Sequence, residues 1–265
     1  MTQTASVGRA LEGQTALVFG VANRRSIAWA IAQSLAEAGA RLAFTYQGER
    51  IEAGVRELAS SLGQDAPVLP CDVTRDDDLD TVFGEVGKQL DGLDILVHSV
   101  AFAAKEDLEG RFTDTSRSNF HMALDISAYS LTAMVKRAEP LMEKRGGGSV
   151  LTMTYLGGER AVPHYNVMGV AKAALESSVR YLALELGPKN IRVNAISAGP
   201  IRTLAARSIS GFTVMEEEME KRSPLKRNVD AGEVGSTALF LCSPMARGIT
   251  GEILFVDAGY HITGL

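Results

Sequence analysis

Apolar residues follow two alternating rhythms along this chain. Short β-rich apolar runs recur at residues 15–19, 41–46, 66–69, 94–98, 148–152, 191–196 and 253–256. Between them, apolar positions fall three and four apart, as in Ile27, Ile31 and Leu35, or Ile51, Val55, Leu58 and Leu62. The first rhythm predicts strands. The second predicts helices over 26–38, 49–62, 76–90, 118–144 and 165–186. Strands separated by helices of that length imply parallel pairing through βαβ units. Residues 16–19 and 95–97 are apolar at every position, as a strand covered on both faces requires. The expectation is an α/β chain folded as a single doubly wound domain over 1–265, with a seven-stranded parallel sheet and helices on both faces. At about 200–230 the alternation stops, although a short connection would suffice there. A long insertion after a strand's carboxyl end suits a binding loop or lid. An ordinary surface helix pair suits it as well.

Composition narrows the function classes. Of 265 residues, 46% are apolar and 22% charged, enough to bury a core and too apolar for disorder. A net charge of −5 argues against a general nucleic-acid binder, which needs concentrated positive charge. Two cysteines, Cys71 and Cys242, make neither a disulfide framework nor a four-ligand zinc site. The four histidines form no metal-ligand pair at helical spacing, so no metal is expected. The polar start lacks the apolar core of a signal peptide, and no run approaches the roughly 20 residues of a membrane span. A cytoplasmic protein with no membrane or nucleic-acid partner is expected.

Three stretches carry candidate chemistry. Gly20-Val-Ala-Asn-Arg-Arg-Ser26-Ile27 joins the first strand to the first helix. A glycine there lets backbone approach a pyrophosphate, and the helix start supplies N–H donors and a positive dipole. A plain tight turn with Ser26 as N-cap explains the same residues. Gln47, Asp72-Val73 and Ser99-Val100-Ala101 directly follow strands, where ligands of such sheets sit. Asp72 suits an adenine amino group, and equally a turn. The sharpest signal is Tyr165-Asn-Val-Met-Gly-Val-Ala-Lys172 on a predicted helix. Seven residues fall about 20° short of two turns, so tyrosine and lysine share a face. An amine near a phenol favours the phenolate and helps tune proton donation to a developing oxyanion. A packed tyrosine with a solvated lysine is the plainer alternative. Tyr155, at the end of the fifth strand, has the same two readings.

Together these stretches resemble the short-chain dehydrogenase/reductase superfamily, and within it the bacterial enoyl-[acyl-carrier-protein] reductases. Further matches are Phe44-Thr-Tyr-Gln47, Cys71-Asp72-Val73, His98-Ser-Val-Ala-Phe-Ala103, Asp125-Ile-Ser-Ala-Tyr-Ser130, Thr154-Tyr-Leu-Gly-Gly-Glu-Arg160 and Val193-Asn-Ala-Ile-Ser-Ala-Gly-Pro-Ile-Arg-Thr-Leu-Ala205. The likeness runs from about Leu11 to Ile262. The wide Tyr-x6-Lys spacing, in place of the Tyr-x3-Lys of most carbonyl reductases, is its most specific part. His98-Ser99-Val100-Ala101 likewise replaces their Asn-Ala-Gly. Moving the tyrosine along the axis suits an acceptor whose hydride lands further from the oxygen.

The resemblance implies a Rossmann-like domain that reduces trans-2-enoyl thioesters. Tyr155, Tyr165 and Lys172 would be catalytic. Gly20, Ser26, Ile27, Gln47, Asp72, Val73, Ser99, Val100, Lys172, Ile201, Arg202, Thr203, Leu204 and Ala205 would contact the cofactor, and Ala103 the substrate. NADH is favoured over NADPH, because Gln47 is neutral and Glu49 would repel a 2′-phosphate, although Arg50 is placed to receive one. Acyl carrier protein would be the partner and a homotetramer the assembly. The 200–223 segment would be a substrate-binding loop, with Leu204, Ile209, Phe212, Val214 and Met215 lining an acyl tunnel. Arg202, Arg207, Lys221, Arg222, Lys226 and Arg227 would offer the acidic carrier a docking face, or simply a solvated one. A ketoacyl reductase on the same fold is the nearest rival. A non-catalytic dinucleotide sensor would be expected to lack the tyrosine or the lysine.

Overall fold

The computed structural model describes residues 9–203 and 211–264. Its strands are β1 (Thr15–Phe19), β2 (Arg41–Tyr46), β3 (Val68–Pro70), β4 (Ile95–His98), β5 (Gly148–Thr154), β6 (Ile191–Ala198) and β7 (Ile253–Val256). All pair in parallel, in one sheet ordered β3-β2-β1-β4-β5-β6-β7. The order reverses between β1 and β4, and a crevice opens beyond their carboxyl ends, where ligands of such sheets bind.

Strand periodicity decides which side chains face which helices. Ala16 and Val18 of β1 join Leu42 and Phe44 of β2 on one face, with α1 (Ile27–Glu37), α2 (Glu49–Ser60) and α9 (Ala231–Cys242). Leu17 and Phe19 alternate to the other face, against α3 (Asp76–Leu90), α6 (Ser130–Lys144) and α7 (Asn166–Leu186). Burial of each large apolar side chain contributes about 1.5–3 kcal/mol, which is why continuously apolar strands sit between two helical layers.

The predicted helix over 118–144 is three pieces. α5 (Arg117–Leu124) runs into a π-helical turn at Asp125–Tyr129 and then into α6. A single π turn is too short to show as a change of period in the sequence pattern. One tertiary and one local hydrogen bond hold the turn. The Ser127 hydroxyl accepts a 3.0 Å hydrogen bond from the Phe102 N–H, and that of Ser130 donates to the Ile126 carbonyl at 2.7 Å. The π turn thereby latches the segment that follows β4.

In the region where the alternation stops, α8 (Phe212–Arg222) precedes α9, while Leu204, Ala205, Arg207 and Ile209 lie outside the described residues. A short helix, α4 (Lys105–Glu109), lies between β4 and α5.

Candidate active site

The crevice at the β1/β4 reversal is a cleft of about 560 Å³. Gly20, Ser26, Ile27, Gln47, Val73, Ser99, Val100, Ala103, Tyr155, Tyr165, Lys172, Ile201 and Thr203 all line it. They come from widely separated parts of the chain, brought together because each follows or faces the carboxyl end of a strand.

At Gly20 the backbone has φ +99°, and a Cβ would lie 2.0 Å from the Ser99 carbonyl oxygen. Only a bare Cα lets the ends of β1 and β4 meet so closely. Ser26 begins α1, but its hydroxyl makes no capping bond to the helix. It accepts instead from the backbone N–H groups of Ala22 and Asn23, at 3.0 and 3.1 Å. The first turn of α1 is left without a side-chain cap beside a preshaped loop, an arrangement that fits a dinucleotide pyrophosphate.

Among the described residues, two of the expected cofactor contacts, Asp72 and Arg202, do not line the cleft. Asp72 spends Oδ1 on the Thr74 N–H and hydroxyl, at 3.0 and 2.7 Å. Burial opposes its charge, but Thr74 and the Gln47 amide hold its carboxyl below the usual range. Arg202 turns away to Glu216, with Nε 2.8 Å from Oε1. The basic cluster is also largely self-compensated: Arg222 pairs with Glu218 and Arg227 with Glu233. The sequence shows the cations at 221–227 as a run and hides the partners one or two helical turns away.

Tyr165 is the N-cap residue of α7, with Lys172 two turns into the helix. The rings of Tyr155 and Tyr165 meet edge to face, centroids 4.9 Å apart. Tyr165 belongs with Leu108 and Met168 to a small apolar cluster, packed by Ala103, Tyr155 and Val162 and separate from the main cores. This end of the cleft suits an apolar chain. Lys172 is buried, and its Nζ donates to the Met153 carbonyl at 2.8 Å.

The electrostatics correct one expectation. An amine beside the phenol was expected to favour the phenolate. Burial instead pushes the Tyr165 hydroxyl well above its ordinary value, assisted by Tyr155 and Glu176. Tyr155 is pushed up too, by burial and then by Tyr260 and Asp257. Tyr165 is therefore a neutral hydrogen-bond donor. Burial lowers the Lys172 ammonium to about 8, against an upward pull from Glu176.

Around this floor, sequence reasoning names His98 and Thr154 only within motifs, with no role, and passes over Glu176. His98 bridges Thr152 and Ser130, with 2.8 Å from each ring nitrogen. Thr154 donates to Glu176. A histidine in a fully apolar strand and a glutamate one turn after the lysine, among apolar helix positions, were the available signals. Cys71, at the cleft wall, and Cys242 are free, with thiols pushed up to about 12 by burial. Among the described residues no group of His, Cys, Asp and Glu could hold a metal ion, and no helix is long and apolar enough to cross a membrane.

Comparison with known proteins gives consistent results. The family model described as "Enoyl-(Acyl carrier protein) reductase" matches residues 20–261. An enoyl-[acyl-carrier-protein] reductase [NADH] from Bacillus subtilis is 56% identical over 254 residues, covering 96% of this chain and 98% of that one. The enoyl-acyl carrier protein reductase of Bacillus cereus, solved with NADP+ and indole naphthyridinone, superposes with a TM-score of 0.95 at 55% identity, covering 97% and 100% of the two chains. The Anaplasma phagocytophilum enzyme, solved with NAD, gives 0.93 at 48%, covering 97% of each.

Proposed function

The chain belongs to the enoyl-(acyl carrier protein) reductase family of short-chain dehydrogenases/reductases, and from that premise we propose how its cleft carries out the reaction. The protein is an NADH-dependent enoyl-[acyl-carrier-protein] reductase, reducing trans-2-enoyl thioesters to saturated ones at the end of each fatty-acid elongation cycle. Bound NADH supplies the hydride that adds at C3 of the enoyl group. The observation that carries the reading is the meeting of Tyr155, Tyr165 and Lys172 beside an apolar cluster at the sheet's reversal point.

Gly20, Ser26 and Ile27 would hold the pyrophosphate, and Gln47, Asp72 and Val73 the adenosine side. Ser99, Val100, Ile201, Arg202, Thr203, Leu204 and Ala205 would flank the rest of the cofactor, with Lys172 on the nicotinamide ribose. Asp72 would act through Gln47, which it touches, and Arg202 only by leaving Glu216. Exposed Glu49, opening α2 next to Gln47, disfavours a 2′-phosphate and so favours NADH.

As C3 is reduced, negative charge develops on the thioester oxygen, and the resulting enolate takes up a proton from solvent at C2 to give the saturated thioester. The neutral Tyr165 hydroxyl donates a hydrogen bond to that oxygen, and the buried Lys172 ammonium adds positive charge in a medium that screens it weakly. Tyr155, its ring against Tyr165, orients the substrate, whose chain lies near Ala103. Tyr165 at the very start of α7 sets the donor away from Lys172, as an oxygen three bonds from the reduced carbon requires.

Removing one oxyanion donor costs about 10²–10³ in kcat. Tyr165→Phe is expected to lose turnover on that order while NADH affinity stays within about twofold. Lys172→Ala is expected to weaken both. Equal NADH affinity in wild type and Lys172→Ala, read by fluorescence titration, would remove the lysine from the cofactor site.

The substrate is presented by acyl carrier protein. Arg202, Arg222 and Arg227 are held by close carboxylates, whereas Lys221 makes only a 3.9 Å approach to Glu218 and Lys226 bonds a backbone carbonyl, so these two lysines are well placed to meet it. Reversing both to Glu should raise KM for carrier-bound substrate and leave that for a small thioester alone. The assembly is a homotetramer in the cytoplasm, with the α5–α7 surface as its interface. The chain acts as one domain, with 200–230 as its substrate-binding loop.

A further inference from the structure

Lys172 presents a problem of charge. A buried ammonium is costly unless acceptors or an opposite charge compensate it. It has three N–H donors, and the protein's own acceptor for them is the Met153 carbonyl. The opposite charge stands on the same helix. Glu176 follows Lys172 by four residues, one turn further along α7, and is only 5% exposed. Its buried neighbours on that helix are Ala171, Leu175 and Val179, so packing alone calls for no carboxyl there.

Glu176 is held from both sides. Thr154, the last residue of β5, donates to Oε1 at 2.5 Å. In the turn that follows, a Cβ on Gly158 would lie 2.6 Å from the same oxygen. The carboxyl is therefore enclosed by the segment that carries Tyr155. Burial pushes its protonation upward, while Thr154, Arg180 and Lys172 pull it back and Glu159 opposes them.

We propose that Glu176 is a positioning residue of the reduction: its buried carboxylate supplies the counter-charge that keeps Lys172 protonated and, through Thr154, fixes the segment bearing Tyr155. What Lys172 does during turnover rests on the enoyl-reductase reading; the charge coupling does not. The titratable groups on the cleft side of the pair stay uncharged near neutral pH. His98 on β4 is kept neutral by burial and by Lys172, and Tyr155 and Tyr165 by burial. Glu159 and Arg180, of opposite sign, flank the outer side.

The test is the pH dependence of NADH affinity, by fluorescence titration, and of kcat/KM for a trans-2-enoyl thioester, both from pH 6 to 10. Wild type is compared with Glu176→Gln, which keeps an acceptor for Thr154 and removes the charge. Loss of a neighbouring anion disfavours the charged lysine. The alkaline decline of both quantities should move to lower pH, so that the ratio of values at pH 9 and pH 6.5 falls by a further factor on the order of ten. Thr154→Val, which makes Glu176 harder to ionise, should shift both in the same direction by less, and it serves if Glu176→Gln does not fold. Superimposable profiles in a folded variant, whatever its melting temperature, would overturn the proposal. NADH affinity reads Lys172 without turnover. A wild type inactive on enoyl substrates would therefore sink the functional reading and leave this comparison standing.

Discussion

Burial keeps His98 uncharged at neutral pH and well below it. It is fully enclosed, bonded to Thr152 and Ser130, and pushed down to about 3 by burial first and then by the Lys172 ammonium. The unfolded chain titrates near the ordinary histidine value, about 6.5. Between those limits the unfolded state binds a proton that the native state refuses. Stability from this group is therefore complete above about pH 6.5 and lost as pH falls toward 3. His98→Gln, which can still bridge two hydroxyls, should cost about 1–3 kcal/mol at pH 7 and lose less on acidification. Melting temperatures of the two proteins between pH 7 and pH 4 check this. Parallel curves would mean that His98 takes up its proton while folded.

At the scale of elements, the π turn at Asp125–Tyr129 positions the wall of the cleft. Through Ser127 it ties down Phe102, between Val100 and Ala103. Ser127→Ala would remove the acceptor of the part-buried Phe102 N–H, at about 0.5–1.5 kcal/mol. The expected outcome is faster amide exchange over 99–103 and a raised KM for the enoyl substrate, with kcat less affected. Unchanged exchange there would detach the π turn from the site. This turn also shows where sequence reading stops. The strands, the crossover helices and the wide tyrosine–lysine pair are local patterns, so they could be read directly from spacing. The π turn, the His98 bridge and the Thr154–Glu176 clasp depend on residues 20 or more positions apart, and no periodicity encodes them. Arg202 was legible as a cation but not as the partner of Glu216. Asp72 was legible as a carboxylate, whereas its commitment to Thr74 is a matter of local turn geometry.

At the scale of the whole molecule, large apolar side chains stand exposed on α7 and on the α5 and π-turn segment that packs against it. Tyr129, Tyr181 and Leu184 are exposed at 59, 73 and 79%, with Met122 nearby in sequence on α5. A set of large apolar side chains on neighbouring helices fits a subunit interface. Light scattering should give four times the chain mass of 28.3 kDa, and Tyr181→Glu with Leu184→Glu should yield smaller species. A monomeric wild type would refute the tetramer. The cleft itself makes the central claim: a neutral phenol and a buried ammonium, set two helical turns apart, serve reduction of a carbon–carbon bond conjugated to a thioester. The most direct measurement follows nicotinamide absorbance with a trans-2-enoyl thioester and a 3-ketoacyl thioester side by side, each with NADH and with NADPH. Oxidation of NADH that depends on the enoyl substrate, with little on the ketoacyl one, is the predicted result. Oxidation driven by the ketoacyl thioester and not by the enoyl would contradict it.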